Sequence, residues 1–168
     1  MPCRWTPNVT VAAVIGRPRA GTALLEYLLV EEETPEGLRL NHPAGHLDPG
    51  ESPEQGVVRE VLEETSRRFV PDRLVGVYLA RSLRPARGED ITYLRFAYAG
   101  TAGAPDRTRA LDDGIVRTLW QTLDELRESA HRHRSPLVLR STLDCAAGKR
   151  APLDLVVTDA SVHGRGAP

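Results

Sequence analysis

Three glutamates, Glu60, Glu63 and Glu64, fall close together near the end of the segment GHLDPGESPEQGVVREVLEET, which spans residues 45–65. The segment opens with loop-forming glycine, proline and serine and continues as a pattern typical of a helix. At ~100° per residue the three carboxylates lie within an arc of roughly 100°. Like charges at this spacing repel each other, and hard divalent cations prefer oxygen ligands. The pattern therefore predicts a helix face that a divalent cation would stabilise.

A carboxylate-rich helix face on its own is most often a solvated surface. Here it belongs to a longer pattern, because Gly45, Glu51 and Arg59 extend it to G-x5-E-x7-R-E-x-x-E-E. At an average frequency of ~6% per residue type, six such positions recur by chance in a chain of this length with odds on the order of 10⁻⁵. The spacing therefore indicates a motif rather than an accident of composition.

The motif resembles the Nudix box of the Nudix hydrolase family, G-x5-E-x7-R-E-U-x-E-E-x-G-U, in which U is a bulky aliphatic residue. Two positions depart, since Ser66 replaces the second glycine and Arg67 replaces the last aliphatic residue. The family's glycine ends the helix in a left-handed turn, a conformation that costs a serine ~1–2 kcal/mol. We therefore expect the helix to run on through Arg68, with Phe69 and Val70 supplying the apolar contact.

Further segments are similar to the bacterial NudJ-type phosphatase branch of this family and cover most of residues 7–157 in the same order. They include LNHPAGHLDPGES, ITYLRFAYAG, LWQTLDEL and RSPLVLRST. Leu40 departs from that branch, which often carries tryptophan there. The resemblance implies an α/β fold, a Nudix-type α/β/α sandwich with a central mixed β-sheet and a catalytic loop and helix after a short strand. It also implies a single domain over residues 1–157, followed by a tail over 158–168 that we expect to be flexible.

The resemblance implies a metal site built from four residues of the box. Glu60, Glu63 and Glu64 would bind one to three Mg²⁺ or Mn²⁺ ions, with the carbonyl oxygen of Gly45 as a further ligand. Glu60 would alternatively position or deprotonate the attacking water, because the family varies in which glutamate does this. The choice between these roles stays open from the sequence.

The resemblance also assigns the remaining two box residues. Arg59 would orient a box carboxylate through a charge-assisted pair, and Glu51 would be its partner. The catalytic set predicted from the sequence is therefore Glu60, Arg59, Glu51 and Glu64. Taken alone, an arginine and a glutamate at this spacing would be a surface ion pair of little energetic value.

Many members of the family use one more acid from a later loop. Asp112 and Asp113, in the segment ALDDGIVRTLW, lie at the expected distance before Trp120. Glu89 and Asp90, in the polar segment RPARGED, are the competing pair. We take Asp112 and Asp113 as the additional acid candidates.

Histidines and one asparagine near the box are candidates for contact with substrate. His46 and Asn41 are the preferred substrate-binding residues, because the similar NudJ-type segment also carries a histidine at the position of His46. His42 lies on the other side of the same PAG sequence. His131 and His133, in the basic segment AHRHRSP, are weaker candidates, since cations are also favoured at helix C-termini for structural reasons.

The rest of the sequence supplies the elements that hold this site. Apolar and β-branched runs predict strands over residues 9–16, 22–33, 73–84, 91–100 and 115–120, and a last strand over 152–157. Capping signals predict three helices, which begin after Ser52, Thr122 and Ser135. Pro71 is expected to mark the end of the first of these helices. The mixed order of strands and helices agrees with an α/β domain.

Composition excludes several other classes of protein. A net charge of −1 over 168 residues gives no reason to expect a nucleic acid polymer or an anionic membrane as a partner. Cys3 and Cys145 are far apart, which argues against a disulfide framework or a zinc site and fits a reducing cytosol. The first residues, MPCRWTPNVT, lack the apolar core typical of a signal peptide, and no stretch approaches ~18 apolar residues, so we expect neither a signal peptide nor a membrane span. We expect a cytoplasmic protein, as a monomer or a homodimer.

The leading hypothesis is a Mg²⁺-dependent hydrolase of phosphoanhydride bonds. The NudJ-type resemblance implies release of inorganic phosphate from nucleoside tri- and diphosphates, and from hydroxymethylpyrimidine diphosphate. The alternative is a pyrophosphohydrolase of another nucleoside diphosphate-linked substrate, such as ADP-ribose or a dinucleoside polyphosphate. A third hypothesis, from another class, is a nucleotide-sensing Nudix-like binding module.

Overall fold

The computed structural model describes residues 5–84 and 88–164, which form seven strands, three α-helices and three short 3₁₀ helices. The strands are β1 (Asn8–Pro18), β2 (Leu25–Thr34), β3 (Gly37–Asn41), β4 (Ala44–His46), β5 (Phe69–Arg84), β6 (Glu89–Ala102) and β7 (Ile115–Thr122). The α-helices are α1 (Pro53–Thr65), α2 (Leu123–Glu128) and α3 (Leu137–Ala146). The 3₁₀ helices are Ala130–Arg132, Leu153–Leu155 and Ala160–Val162. Among the described residues, every helix is too short or too polar to span a bilayer.

The strands form a mixed sheet in which β1 is the central organiser. Strand β1 pairs in parallel with β6 and antiparallel with the short β4 on its other edge. Beyond residue 16 it pairs with β2, which in turn pairs with β3 and β7. Strand β5 completes the order through a long antiparallel pairing with β6. This arrangement puts β4, and the loop that follows it, beside the middle of the sheet.

Both faces of the sheet are covered by helices, because the apolar side chains of β1 alternate between two cores. One core joins Val11 and Ile15 to Val57 and Val61 of α1. The other core joins Val14 to α2 and α3 through residues that include Leu126 and Val138. Burying each of these large side chains contributes about 1.5–3 kcal/mol. The predicted α/β/α sandwich with a mixed sheet is thus confirmed.

Helix α1 begins as predicted but ends earlier than predicted. Ser52 and Gln55 form a reciprocal capping box at its start. At its end Ser66 adopts a left-handed conformation with φ 54°, so the expectation that the helix runs on through Arg68 is wrong. Phe69 is buried (4% exposed) and supplies an apolar contact, whereas Val70 is 64% exposed and does not.

The left-handed turn at Ser66 is held by the long loop between β6 and β7. The hydroxyl of Ser66 donates to the carbonyl of Arg109 over 3.1 Å, and the backbone N–H of Asp106 donates to the carbonyl of Ser66 over 2.8 Å. These two contacts come from residues more than 35 positions away, and they offset the cost of the serine in this conformation. Local sequence propensity could not predict these contacts, because they depend on residues distant in the sequence.

Several other element predictions need correction. Pro71 lies inside the edge strand β5, next to a register shift, where its missing N–H costs no ladder bond. The segment predicted as a last strand forms the 3₁₀ helix Leu153–Leu155, and Ala151 alone bridges to Leu74. Residues 85–87 of the predicted hairpin loop and Cys3 lie outside the described residues. Flexibility of the 158–168 tail stays a prediction; within it, His163 Nδ1 lies 2.9 Å from the carbonyl oxygen of Gly50.

Candidate active site

Gly45 lies on strand β4, which together with the loop that follows it we call the β4 loop. The backbone of Gly45 closely approaches the carboxylate of Glu60. Pairing of Val11 with Gly45 fixes β4 against β1, and α1 packs across the same strands. A Cβ atom added to Gly45 would lie 2.0 Å from Glu60 Oε1, well inside van der Waals contact. Glycine is therefore required here for close approach of backbone to carboxylate, rather than for an unusual φ angle.

Arg59 is the hub of a hydrogen-bond network, which we call the Arg59 network. It donates five hydrogen bonds: two to the carboxylate of Glu51 (3.1 and 2.7 Å), one each to Glu60 (2.7 Å) and Glu63 (3.0 Å), and one to the carbonyl of His46 (3.0 Å). These ion pairs raise the pKa of Arg59, with the Glu51 contact as the largest cause. The guanidinium thus fixes the carboxylates of α1 relative to the β4 loop.

Glu51 accepts three hydrogen bonds from two partners. In addition to Arg59, it accepts a hydrogen bond from the backbone N–H of Asp48 over 2.8 Å. Burial acts to raise the pKa of Glu51, but these two partners outweigh it and hold the pKa below its usual value. A Cβ atom on Gly56 would lie 2.7 Å from Glu51 Oε1, so glycine inside the helix makes room for this carboxylate.

Glu64 and Glu60 are the two buried glutamates of the box, each 8% exposed. One of its oxygens, Oε2, accepts a hydrogen bond from the backbone N–H of Ala44 over 2.8 Å. Burial, with smaller contributions from the negative charges of Glu60, Glu32 and Asp112, raises the pKa of Glu64 to about 8, although the hydrogen bond from Ala44 opposes this. Burial also raises the pKa of Glu60, although Arg59 opposes this. The site therefore concentrates negative charge where little water reaches it.

Of the acids in later loops, Asp112 is the one tied to α1. Its backbone N–H donates to the carbonyl of Glu63 over 3.1 Å, and its charge contributes to the raised pKa values of Glu60 and Glu64. Asp112 and Asp113 are both exposed, so this backbone contact, and not burial, distinguishes them.

The competing acids in the β5–β6 hairpin are engaged elsewhere. Asp90 accepts two hydrogen bonds of 2.7 Å from Arg81. Glu89 accepts one of 3.1 Å from Arg84. Both pairs join the two strands of the hairpin, which is a sufficient structural role for these acids.

The donor set of the box suits a divalent cation, although it is not pre-assembled. Within the described residues, no three acidic, histidine or cysteine side chains already converge on one ion position. The reason is visible in the Arg59 network, because Glu60 and Glu63 both point at the guanidinium. The carboxylate oxygens, the close approach of Gly45 to Glu60 and the buried carboxyl of Glu64, whose ionised form lacks a cationic partner, nevertheless fit a Mg²⁺ ion in chemistry.

A cavity of about 290 Å³ adjoins Gly45 and His46. Asn41, Tyr93 and four arginines line it, and the rings of His46 and Tyr93 lie 6.3 Å apart at 51°. The arginines are Arg81, Arg84, Arg95 and Arg134. A second cavity of about 650 Å³ lies between α1 and the C-terminal segment and is lined by Arg59. The three box glutamates line neither cavity, but only the smaller one is lined by Gly45 and by Ala44, whose N–H binds Glu64. We therefore take the smaller cavity as the substrate site.

The other histidine candidates lie in structural positions. His42 is fully buried, its Nε2 lies 2.9 Å from the hydroxyl of Thr142, and burial lowers its pKa to about 3. His131 Nδ1 lies 3.2 Å from the carbonyl of Glu128. His133 Nε2 lies 3.3 Å from the hydroxyl of Ser129. The first contact ties His42 to α3, and the other two tie His131 and His133 to the C-terminal end of α2.

Comparison with known proteins identifies the family. The family model described as NUDIX domain matches residues 6–140. The chain belongs to the NUDIX family. It is 30% identical to phosphatase NudJ of Escherichia coli strain K12 over 152 residues, which are 90% of this chain and 92% of that protein. The NudJ-type resemblance is thereby confirmed.

Solved structures of NUDIX proteins share the fold. A NUDIX hydrolase from Nitrosomonas europaea is 47% identical, with a TM-score of 0.79 over 92% of this chain and 98% of that one. The NUDIX domain of Shewanella oneidensis NrtR, solved with ADP ribose, is 19% identical, with a TM-score of 0.65 over 86% and 90% of the two chains. The latter likeness supports the fold alone. As a Nudix hydrolase, the chain is an enzyme that acts on nucleoside diphosphate derivatives.

The Nudix site also contains residues that the sequence did not single out. Gly56 makes room for Glu51, and a glycine in the middle of a predicted helix, which costs about 1 kcal/mol relative to alanine, was an available signal. The backbone N–H of Ala44 holds Glu64. Glu32 and Arg95 line the substrate cavity. They lie on different strands far apart in sequence, so no local pattern pointed to them.

Proposed function

We propose that this Nudix hydrolase releases inorganic phosphate from nucleoside tri- and diphosphates in a Mg²⁺-dependent reaction, with hydroxymethylpyrimidine diphosphate as a further substrate. The observation that carries the proposal is the meeting of two features at residues 44–46. Carboxylates of α1 contact this loop, and the arginine-lined cavity adjoins it. Similarity to phosphatase NudJ of Escherichia coli over 90% of the chain supports release of phosphate.

We propose that Glu60, Glu63 and Glu64, with the carbonyl oxygen of Gly45, hold one to three Mg²⁺ or Mn²⁺ ions. Hydrolases of this family generally need a divalent metal. A bound ion would neutralise phosphate oxygens and lower the pKa of the attacking water. Because Glu60 and Glu63 contact Arg59 in this structure, metal binding requires these two carboxylates to shift or to share their oxygens.

Side chains of the box would orient the carboxylates and accept the proton of the attacking water. Arg59 fixes the carboxylates of α1, and Glu51 fixes Arg59. Glu60 and Glu64 both have raised pKa values without metal, and a bound cation would lower these values and favour the ionised form that accepts a proton. We propose that one of these two takes the proton of the attacking water. Asp112 is the additional acid that we favour, since its backbone is held against α1.

The cavity would hold the rest of the substrate. His46 and Asn41 line it and are the proposed contact residues. Arg81, Arg84 and Arg134 also line it, and their guanidinium groups can donate hydrogen bonds to phosphate oxygens. A volume of about 290 Å³ is at the lower end of the ~300–1,000 Å³ typical of small-molecule sites. It therefore suits one headgroup better than the two nucleosides of a dinucleoside polyphosphate.

Phosphate release by the purified protein with Mg²⁺ tests this proposal. The substrates are nucleoside tri- and diphosphates, hydroxymethylpyrimidine diphosphate and ADP-ribose, each with and without added pyrophosphatase. Direct phosphate release from the first two classes is the expected result. Glu64→Gln should lose most turnover, whereas the matched control Glu54→Gln, at an exposed position in the first turn of α1, should not.

The same assay separates the alternatives. Signal that appears only with pyrophosphatase would replace the proposal by a pyrophosphohydrolase. ADP-ribose gives no free phosphate in either case, so its cleavage is followed by chromatography of the nucleoside monophosphate. Binding of nucleotides without turnover of any substrate would favour the nucleotide-sensing module. Retention of turnover by Glu64→Gln would overturn the metal site.

The remaining expectations stay proposals. We propose that residues 1–157 form one domain, which agrees with a family match that spans residues 6–140. We also propose a cytoplasmic location and a small-molecule substrate without a nucleic acid or membrane partner. Size-exclusion chromatography with light scattering would decide between monomer and homodimer.

A further inference from the structure

The inner wall of the substrate cavity is built from three polar side chains, which we call the polar wall: Glu32, Asn41 and Arg95. Each comes from a different strand of the sheet, namely β2, β3 and β6. Arg95 is opposite Thr10, which in turn pairs with His46 of the β4 loop. The polar wall therefore lies one strand away from the proposed metal site.

Each residue of the polar wall has one buried atom without a hydrogen-bond partner. Within the described residues these atoms are Glu32 Oε1, Asn41 Oδ1 and Arg95 Nη1. Asn41 is 6% exposed and Arg95 is 8% exposed, so neither is a surface group whose partner is bulk water. A buried polar atom without a partner destabilises the fold. Three such atoms on one cavity wall indicate that a ligand completes their hydrogen bonds.

The unpartnered atoms define the chemistry of that ligand. Glu32 Oε1 and Asn41 Oδ1 are acceptors, whereas Arg95 Nη1 is a donor. A phosphate would satisfy the donor but would face two further oxygens, one of them on a carboxylate. A neutral group with an N–H donor beside an acceptor satisfies all three atoms. An amino group next to a ring nitrogen, as on cytosine, is such a group.

The other cations of the cavity already have carboxylate partners. Arg81 pairs with Asp90 at 2.7 Å, and Arg84 pairs with Glu89 at 3.1 Å. Arg134 donates to Glu32 Oε2 over 3.3 Å, which leaves the other oxygen of Glu32 for a ligand. Arg95 instead contacts the hydroxyl of Thr10 at 3.5 Å through Nε. The polyphosphate is thus placed toward the β4 loop and the headgroup toward the polar wall.

The dimensions of the cavity agree with a single heterocycle. Its volume of about 290 Å³ leaves little room beyond one ring system and its attached sugar or methylene group. The rings of His46 and Tyr93 are on its lining and provide flat apolar surface for a ring. A flat ring stacked on either of them would present its edge to the rest of the lining.

We propose that the polar wall selects substrates whose heterocycle carries an amino group beside a ring nitrogen, as cytosine does, over those with an oxo group beside a ring N–H, as in uracil. The amino group donates to Glu32 and Asn41, and the ring nitrogen accepts from Arg95. This inference rests on the proposed function, because it takes the same cavity as the substrate site. Uracil reverses both polarities at this edge, so its oxygen would face the two acceptors.

The test compares CTP with UTP as substrates of the wild-type enzyme. We expect kcat/KM to be at least about tenfold higher for CTP, the loss typical when a buried acceptor faces a substrate acceptor. Glu32→Gln presents an amide that donates to an oxo group, so it should reduce this ratio at least about threefold. Glu33→Gln, at an exposed position next along β2, is the matched control and should keep the ratio.

Binding measurements separate this inference from the proposed function. Calorimetry with CMP and UMP reports the preference of the cavity without any turnover. Tighter binding of CMP supports the polar wall even if no phosphate is released, in which case the proposed function fails alone. Equal kcat/KM values for CTP and UTP, or equal affinities where there is no turnover, overturn the inference while leaving phosphate release intact. A Glu32→Gln variant that fails to fold leaves the wild-type comparison as the deciding result.

Discussion

The Arg59 network and the polar wall both adjoin the β4 loop, but their polar atoms differ in how completely they are hydrogen-bonded. In the Arg59 network, all three guanidinium nitrogens donate hydrogen bonds to groups of the same chain. In the polar wall, each of Glu32, Asn41 and Arg95 keeps one buried atom without a partner. The difference separates a region organised in advance from a region that a ligand completes.

This contrast agrees with the demands of the proposed chemistry. Phosphoryl transfer depends chiefly on positioning and electrostatic stabilisation, and Arg59 and Glu51 hold the carboxylates of α1 near β4 before metal and substrate bind. Recognition of a headgroup depends on hydrogen bonds that the wrong ligand cannot make. Unpartnered atoms provide that discrimination, because an unsuitable headgroup leaves them unpartnered.

The largest expected effect comes from Gly45→Ala, which would disturb the Arg59 network at Glu60. The added Cβ atom would lie 2.0 Å from Glu60 Oε1, so the carboxylate must move away from the β4 loop. We expect turnover to fall by roughly 10²–10³-fold, as when one group that stabilises transition-state charge is lost. Steady-state kinetics at saturating Mg²⁺ measures this loss.

Gly103→Ala is the matched control for that substitution. The nearest atom to a Cβ at Gly103 is the carbonyl oxygen of Arg68 at 3.9 Å, an ordinary contact. Its kcat should stay within about twofold of wild type, since surface changes away from special contacts are nearly neutral. If Gly45→Ala were equally active, the close approach of Gly45 to Glu60 would have no catalytic role.

A somewhat smaller effect is expected for Arg59→Lys. Lysine keeps the positive charge but cannot form the two parallel hydrogen bonds to Glu51. Turnover should fall about 10–100-fold, the range seen when a partner that orients metal ligands is changed. The apparent affinity for Mg²⁺, read from the activity titration, should change as well.

Arg127→Lys provides the comparison for Arg59→Lys. Arg127 is exposed and pairs with Asp124 on α2, away from the site. It should leave both kcat and the Mg²⁺ titration as in wild type. Equal behaviour of the two lysine variants would show that the geometry of the Arg59 network does not matter and that charge alone does.

Without metal, the buried carboxyl of Glu64 should make the stability of the protein depend on pH. Burial raises the pKa of Glu64 from its ordinary value of 4.5 to about 8. Because folding favours the protonated form, the stabilising contribution of Glu64 is complete below pH ~4.5 and is lost as the pH rises through ~8. In EDTA, the free energy of unfolding should therefore decrease between pH 5 and 8.

Urea denaturation of wild type and Glu64→Gln across that pH range checks this prediction. Gln cannot ionise, so the decrease should be smaller in the variant, and the variant should be the more stable protein at pH 8 without metal. Mg²⁺ should restore stability to wild type more than to the variant. Parallel pH profiles for the two proteins would contradict a buried, unneutralised carboxylate at residue 64.

The smallest expected effect concerns Ser66, at the end of α1. Glycine and alanine both remove the hydroxyl that donates to Arg109, but only glycine adopts φ 54° without strain. Ser66→Gly should therefore be about 1 kcal/mol more stable than Ser66→Ala. Thermal or urea denaturation measures the difference, and equal stability would show that the helix end is not left-handed in solution.

The sequence predicted the order of the first strands and helices well because their signals are local. The capping boxes at Ser52 and Thr122 are present as predicted, since each depends on residues three positions apart. The last predicted strand failed for the opposite reason. Residues 153–155 form a 3₁₀ helix, with Leu153 and Val156 packed against the core and Leu155 64% exposed. Strand pairing needs a partner that the sequence does not specify.

The Nudix box shows how much of the site one sequence contains. The spacing of Gly45, Glu51, Arg59 and the three glutamates put the carboxylates on one helix face and named the residues of the Arg59 network. A helix repeats every 3.6 residues, so this spacing translates directly into geometry. The chain itself thus determined which groups meet at the box, and by resemblance which chemistry they perform.

Only the tertiary structure decided how these groups are completed by distant parts of the chain. The loop around Asp106 and Arg109 allows Ser66 its left-handed turn, and β4 brings the N–H of Ala44 to Glu64. The polar wall gathers residues from three strands whose pairing depends on the whole sheet. Contacts between residues 20 to 60 positions apart follow from packing, and packing is a property of all the elements together rather than of any one segment.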